Sequence, residues 1–314
     1  MGLTIWGSLR PSNGLQYVIA ALTLIFFTGL KEDVLIIDPV KKLLAQILAA
    51  LLLIIGADLR IESFYGILGI EELPYLISLL FSLFVYVVVT NAYNLIDGID
   101  GLASGLGALA ALCFGVWFLL TGFTDYAVLA FCLCGALIGF VRYNLSRSEK
   151  IFPGDTGSLI IGITIAALAM QFIQTNAYVR GEYHLENAPF IALAVLGVPL
   201  FDTLRVFTIR LMIGQSPFFL DKRHIHHILI RRNPSHLRAS FMLIFFSVVY
   251  IAMSSQIYQL SNIYLAVLYL LLSFTLYIAL CSMLEKARPR TFKHFFMRYI
   301  PFVYFIFWSR YLRR

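Results

Sequence analysis

Apolar stretches separated by short polar clusters recur along almost the whole chain, and those near 20 residues are long enough to cross a bilayer as helices. The first covers Leu15–Leu30 and ends in Lys31-Glu32-Asp33. The second, Leu43–Gly56, follows Lys41 and Lys42; it is short and is expected to continue toward Ile61. The third, Leu73–Ile96, carries no charge and runs into Asp97-Gly98-Ile99-Asp100-Gly101. A fourth starts at Leu102 and ends near Gly122, a fifth covers Tyr126–Val141, and a sixth Leu159–Ala177. The seventh, from near Pro189 to Met212, contains Pro199, Asp202 and Arg205, so it is expected to be kinked and partly wet. A long loop, 214–238, follows. Ala239–Leu284 holds no charge and is too long for one helix, which predicts two spans broken near Ser254–Asn262. The pattern reads as an all-α, polytopic integral membrane protein of about nine transmembrane helices over residues 1–284. Residues 285–314 read as a basic, aromatic tail at the membrane interface.

Composition agrees. Of 314 residues 60% are hydrophobic and 13% charged, where a soluble domain carries about 25% charged residues. The net charge of +7 is therefore a matter of topology and not of nucleic-acid binding, since no basic stripe is interleaved with aromatics. Cys113, Cys132, Cys134 and Cys281 all sit in apolar runs and read as packing. The N-terminal residues show no cleavable signal pattern. With nine spans the two ends lie on opposite sides. An outer N-terminus leaves only Arg10, Arg60 and Arg180 of the 24 Lys and Arg outside, so the positive-inside rule predicts a cytoplasmic C-terminus. Four polar clusters distant in sequence then share the cytoplasmic face.

Those clusters carry the candidate chemistry. Carboxylates at bilayer depth are costly and seldom lack a function. Gly98 and Gly101 permit a tight turn that folds Asp97 and Asp100 toward one point, suited to a divalent cation and phosphates; the competing reading is a polar helix cap in a transporter. Glu32 and Asp33 repel one another and gain from a cation or from Lys31, Lys41 or Lys42. Phe152-Pro-Gly-Asp155-Thr-Gly-Ser158 is a glycine-rich turn opening a helix, whose N–H groups can receive a phosphate. Asp155 there can hold Mg²⁺, while Thr156 or Ser158 can serve simply as an N-cap. Arg223-His224-Ile-His226-His227 lies in the longest cytoplasmic loop, among Lys222, Arg231 and Arg232, and reads as an anion site more than a zinc site. Together these groups suit Mg²⁺-assisted phosphoryl transfer between a soluble diphosphate and a lipid.

Asn91-Ala-Tyr-Asn94-Leu-Ile-Asp-Gly-Ile-Asp-Gly-Leu, Phe152-Pro-Gly-Asp-Thr-Gly-Ser and Asp221-Lys-Arg-His-Ile-His-His resemble the motifs of the polyprenyl-phosphate N-acetylhexosamine-1-phosphate transferases. The resemblance covers about residues 14–284, and the His-Ile-His-His form is similar to the WecA-like branch. It implies transfer of N-acetylhexosamine-1-phosphate from UDP-N-acetylhexosamine to undecaprenyl phosphate, with release of UMP. It implies Mg²⁺, with Mn²⁺ as an alternative, and a bacterial inner-membrane protein with a cytoplasmic active site. By the same resemblance Glu32, Asp33, Asp97, Asp100 and His226 are catalytic, and Asp155 and Asp97 hold the metal. Lys42, Asn91, Asn94, Ser158, Arg223, His224 and His227 bind substrate, and Asn144 and Phe152 lie where the family holds uridine. A homodimer is compatible with all of this. Two departures stand out: Glu32 replaces the first Asp of an Asp-Asp pair, and the chain begins after two spans that the family carries. The competing readings are an ion-coupled transporter, a CDP-alcohol phosphotransferase and an inactive truncated homologue.

Overall fold

A computed structural model of the chain describes residues 14–35, 37–64, 70–146, 148–214, 223–232 and 235–254, with scattered positions between 267 and 278. Among the described residues every regular element is a helix, and the only strand-type pairing is one isolated bridge, Ser63 to Glu72. The chain divides into one unit over residues 1–271 and a second over 272–314. Described positions of the second unit between 272 and 278 are helical. The tail at 285–314 and most of the expected ninth span lie outside the described residues.

The first unit opens with α1 (Leu15–Val34) and α2 (Pro39–Leu51, continued by a π turn Leu52–Gly56). Asp38 caps α2, its side chain accepting from Val40 N at 2.7 Å, and Pro39 takes the first helical position, where no N–H is needed. The expected continuation toward Ile61 is absent. Ala57 N and Leu59 N both return to Leu53 O, and Asp58 adopts φ 53°, which ends the helix. Then follow α3 (Tyr75–Ile96), α4 (Leu102–Leu120), α5 (Thr124–Asn144), α6 (Gly154–Asn176), α7 (Ala188–Val195), α8 (Gly197–Met212), α9 (Ile225–Arg232) and α10 (His236–Ser254).

Six of the described helices are long and apolar enough to cross a membrane, or seven if α7 and α8 count as one span bent by 77°. The protein is thus an all-α, multi-pass membrane protein. The helix at the centre is α6, which packs against α1, α3, α4 and α7 and has 78% of its apolar stretch buried. Hydrocarbon gives no hydrophobic drive between helices, so close approach of backbones matters. Small residues on α6 allow it. A Cβ on Gly162 would stand 2.7 Å from Thr90 Cα of α3. The bend between α7 and α8 falls where Pro199 cannot donate to the carbonyl four residues back, at Val195, the last residue of α7.

Candidate active site

The last turn of α1 meets the first turn of α6. Asp33 Oδ1 accepts from Asp155 N at 2.8 Å, and its Oδ2 accepts from Thr156 N at 3.1 Å and Thr156 Oγ1 at 2.5 Å. A carboxylate on the first N–H groups of a helix is favoured by direct bonds and by the helix dipole. The sequence offered these amides to a phosphate, and the acid pair to a cation or to Lys31, Lys41 or Lys42; in the structure Asp33 takes two of the amides itself. Both contacting backbones need glycine. Gly154 has φ +61°, with a Cβ there falling 2.6 Å from Asp33 Oδ1, and a Cβ on Gly29 would fall 2.4 Å from Thr156 Cα. Glu32 diverges from Asp33: one of its carboxylate oxygens is buried with no hydrogen-bond partner among the described residues.

Lys42, on α2, turns to Asp155, with Nζ 2.7 Å from Oδ1 and 3.4 Å from Asn94 Oδ1. The Asn94 amide nitrogen donates to the same Asp155 oxygen and to Ser158 Oγ at 2.8 Å. Ser158 Oγ donates back to Gly154 O at 2.9 Å, and Thr156 donates to Asp33, so neither hydroxyl is the N-cap that the turn alone suggested. One turn deeper, Asn91 Nδ2 donates to Gln46 Oε1 at 2.7 Å and to Val87 O at 2.8 Å. A polar seam therefore runs between α2, α3 and the start of α6.

Asp97 follows the last residue of α3 and makes no side-chain hydrogen bond or ion pair among the described residues. Burial first, and then the charges of Asp155, Asp100 and Asp33, push its carboxyl up to about 7. Acids from three separate stretches thus feel one another at this point. Asp100 is held differently. Its Oδ2 lies 2.7 Å from Lys150 Nζ and 2.9 Å from His236 Nδ1, and its carbonyl accepts from Ser240 Oγ at 2.6 Å. Asn144 is 2% exposed and spends both ends of its amide on the backbone, accepting from Gly101 N at 2.6 Å and donating to Ile151 O at 2.8 Å. It staples the aspartate turn to the loop before α6. Phe152, 69% exposed, presents its ring at the rim with Lys150 Nζ 4.9 Å from the centroid.

The histidine segment, expected as loop, contains the two-turn helix α9. His224 is 4% exposed and its Nδ1 lies 2.7 Å from Asp202 Oδ2. Asp202 Oδ1 accepts from Ile225 N at 3.0 Å and lies 3.2 Å from Arg205 Nη2. His226 is 1% exposed, and neither ring nitrogen has a hydrogen-bond partner among the described residues. A Cβ on Gly98 would stand 2.1 Å from His226 Nε2, so the imidazole rests on the aspartate turn where only glycine fits. His227 follows, its ring centroid 4.2 Å from that of His226. Burial, with His227 beside it, pushes the His226 imidazole down to about 3. The segment read as a cationic anion site thus holds a neutral histidine at its centre. Asp202 was visible in the sequence only as an interruption; an acid and an arginine three apart inside an apolar run were the signal of its importance.

Among the described residues no group of three or more His, Cys, Asp or Glu side chains stands close enough to hold a metal ion. Mg²⁺ does not require such a cage, because it usually keeps several waters and takes one or two carboxylates plus substrate phosphates. The carboxylate repulsion gathered at Asp97 is the chemistry a hard divalent cation relieves, and Asp97 with Asp155 fits that donor set.

Residues 15–173 match glycosyl transferase family 4. The chain is 36% identical over 242 residues to a decaprenyl-phosphate N-acetylglucosaminephosphotransferase of Mycolicibacterium smegmatis, covering 73% of this chain and 59% of the relative. It is 31% identical over 241 residues to an undecaprenyl-phosphate alpha-N-acetylglucosaminyl 1-phosphate transferase of Yersinia pestis, covering 75% and 63%. To the protein of the same name in Escherichia coli O157:H7 it is 29% identical over 272 residues, covering 83% and 71%. The matched part spans about three-fifths of the length of the mycobacterial relatives. The chain therefore belongs to glycosyl transferase family 4, the polyprenyl-phosphate N-acetylhexosamine-1-phosphate transferases that its three motifs resemble.

Proposed function

We propose that the protein transfers an N-acetylhexosamine-1-phosphate, GlcNAc-1-phosphate in the first instance, from a UDP-sugar to undecaprenyl phosphate and releases UMP. This would be the first membrane step of a cell-surface polysaccharide, on the cytoplasmic face of a bacterial inner membrane. The observation that carries the reading is the meeting of Asp33, Asp97 and Asp155 at the first turn of α6, beside Lys42 and under the histidine segment. The relatives' names supply the acceptor class and the sugar phosphate.

In the transfer an oxygen of the lipid phosphate bonds to the sugar-bearing phosphorus. The bridging P–O bond breaks, and UMP leaves with its electron pair. Lys42 brings one positive charge to this space and holds Asp155 in place. A carboxylate of this cluster holds the incoming lipid phosphate or takes its proton. Mg²⁺, held by Asp155 and Asp97, would neutralise the diphosphate and stabilise the leaving phosphate. Phe152 offers an exposed ring for the uracil, and Arg223 and His227 border the phosphates. An ion-coupled transporter would keep its acids near the bilayer midplane, whereas here Asp33, Asp97 and Asp155 stand at helix ends.

The test is purified protein in detergent with Mg²⁺, undecaprenyl phosphate and a panel of UDP-sugars, scored by UMP. Release is expected with UDP-GlcNAc and only when the lipid phosphate is present. No release with any UDP-N-acetylhexosamine, under conditions in which the Escherichia coli relative turns over, would reject the reading.

A further inference from the structure

We propose that Asp202 is a positioning residue that sets His226 against the aspartate turn by fixing His224. The kinetic part of this rests on the transfer reading; the structural part does not. Asp202 lies on α8, is 1% exposed, and is the point to which the start of the histidine segment is tied. Its two oxygens engage His224 Nδ1 and Ile225 N at 2.7 and 3.0 Å. Arg205 ties the same place twice, reaching Asp202 Oδ1 at 3.2 Å and the Arg223 carbonyl through the same nitrogen. An ionised carboxylate only accepts, so the proton of the His224 contact sits on Nδ1. The His224 ring thereby has a fixed tautomer and a fixed plane. His226 stacks on that plane, with ring centroids 5.8 Å apart and 8° between the rings. His226 in turn lies on Gly98, the neighbour of Asp97. Order passes from Asp202 to His224, to His226, to the turn, without Asp202 being assigned any contact with substrate. Because the His226 ring nitrogens have no hydrogen bond of their own among the described residues, packing against His224, His227 and Gly98 is what holds the ring.

Three measurements decide this. In protein carrying ¹⁵N-histidine, with His224 assigned by its loss in His224→Ala, the spectrum should show a proton on Nδ1; an Nε2-only tautomer overturns the proposal. Asp202→Asn should lower kcat for UMP release by about 30-fold while KM for UDP-GlcNAc stays within about threefold, and Asp202→Glu should recover part of the loss. A kcat near that of the unaltered protein, or a loss confined to KM, counts against it. In a His224→Ala background, Asp202→Asn should add less than about a threefold further loss, because the two residues act in series; an additive loss shows that Asp202 acts by another route. Should Asp202→Asn fail to fold, the nitrogen spectrum of the unaltered protein decides the question. If that protein releases no UMP from any UDP-sugar, the transfer reading fails, and the spectrum still tests the link between Asp202 and His224.

Discussion

Asp33 accepts three hydrogen bonds from the first turn of α6, a partner more than a hundred residues away in sequence. Replacing it with alanine removes a helix cap, and the expected cost is about 1–2 kcal/mol. A lower thermal midpoint in detergent, with the spectrum of a folded helical protein at low temperature, checks this; an unchanged midpoint would show that the cap contributes nothing. His226 gives a pH dependence. Its folded-state affinity for protons is depressed to about 3, against about 6.5 in the unfolded chain. Between those values only the unfolded chain binds the proton, so the stabilisation is complete above about pH 6.5 and is lost as pH falls toward 3, at up to about 1.4 kcal/mol per unit. Asp97 opposes this, because a raised carboxyl favours the folded state at lower pH. The measurement is therefore a comparison: His226→Ala should lose stability less steeply than the unaltered protein between pH 6.5 and 4.5. Equal slopes would place the His226 proton equilibrium elsewhere.

At the scale of elements, α6 is held by contacts that tolerate no added bulk. Gly162→Leu should separate α6 from α3 and destabilise the protein by about 1–3 kcal/mol or prevent assembly, seen as a lowered midpoint or loss of the monodisperse peak; a variant as stable as the parent would mean that the Gly162–Thr90 approach is dispensable. The helices were legible in the sequence because each is an apolar run near the length of a span, and the break at α7–α8 was legible because Pro199, Asp202 and Arg205 interrupt one. The end of α2 was not, because the apolar run gives no sign of the left-handed backbone at Asp58. Helix α9 was not either: eight residues with two histidines and two arginines carry no long apolar stripe, and its start is fixed by Asp202 from another helix. The site divides in the same way. Asp97 and Gly98 announce themselves by position. That Asp33 would take the α6 amides, that Lys42 would choose Asp155, and that Asn144 would be spent on two backbone groups depended on which helix ends meet. No local pattern records that.

At the scale of the whole molecule, the charge distribution predicts one orientation. A cysteine at Glu149, exposed beside the aspartate turn, should react with an impermeant maleimide only in inverted vesicles, and one at Glu182, exposed between α6 and α7, only from outside intact cells. The reverse pattern would turn the protein over and remove the site from the nucleotide-sugar pool. The central claim is chemical: the acids gathered at the end of α6 serve transfer of a sugar phosphate as one group. The most direct measurement supplies UDP-GlcNAc labelled with ³²P at the sugar-bearing phosphorus to the purified protein with undecaprenyl phosphate and Mg²⁺, and follows the label into lipid extract. The account predicts labelled lipid and unlabelled UMP in equal amounts, with both abolished in Asp97→Asn. Label left in the aqueous phase, or lipid labelling undiminished in Asp97→Asn, would contradict it.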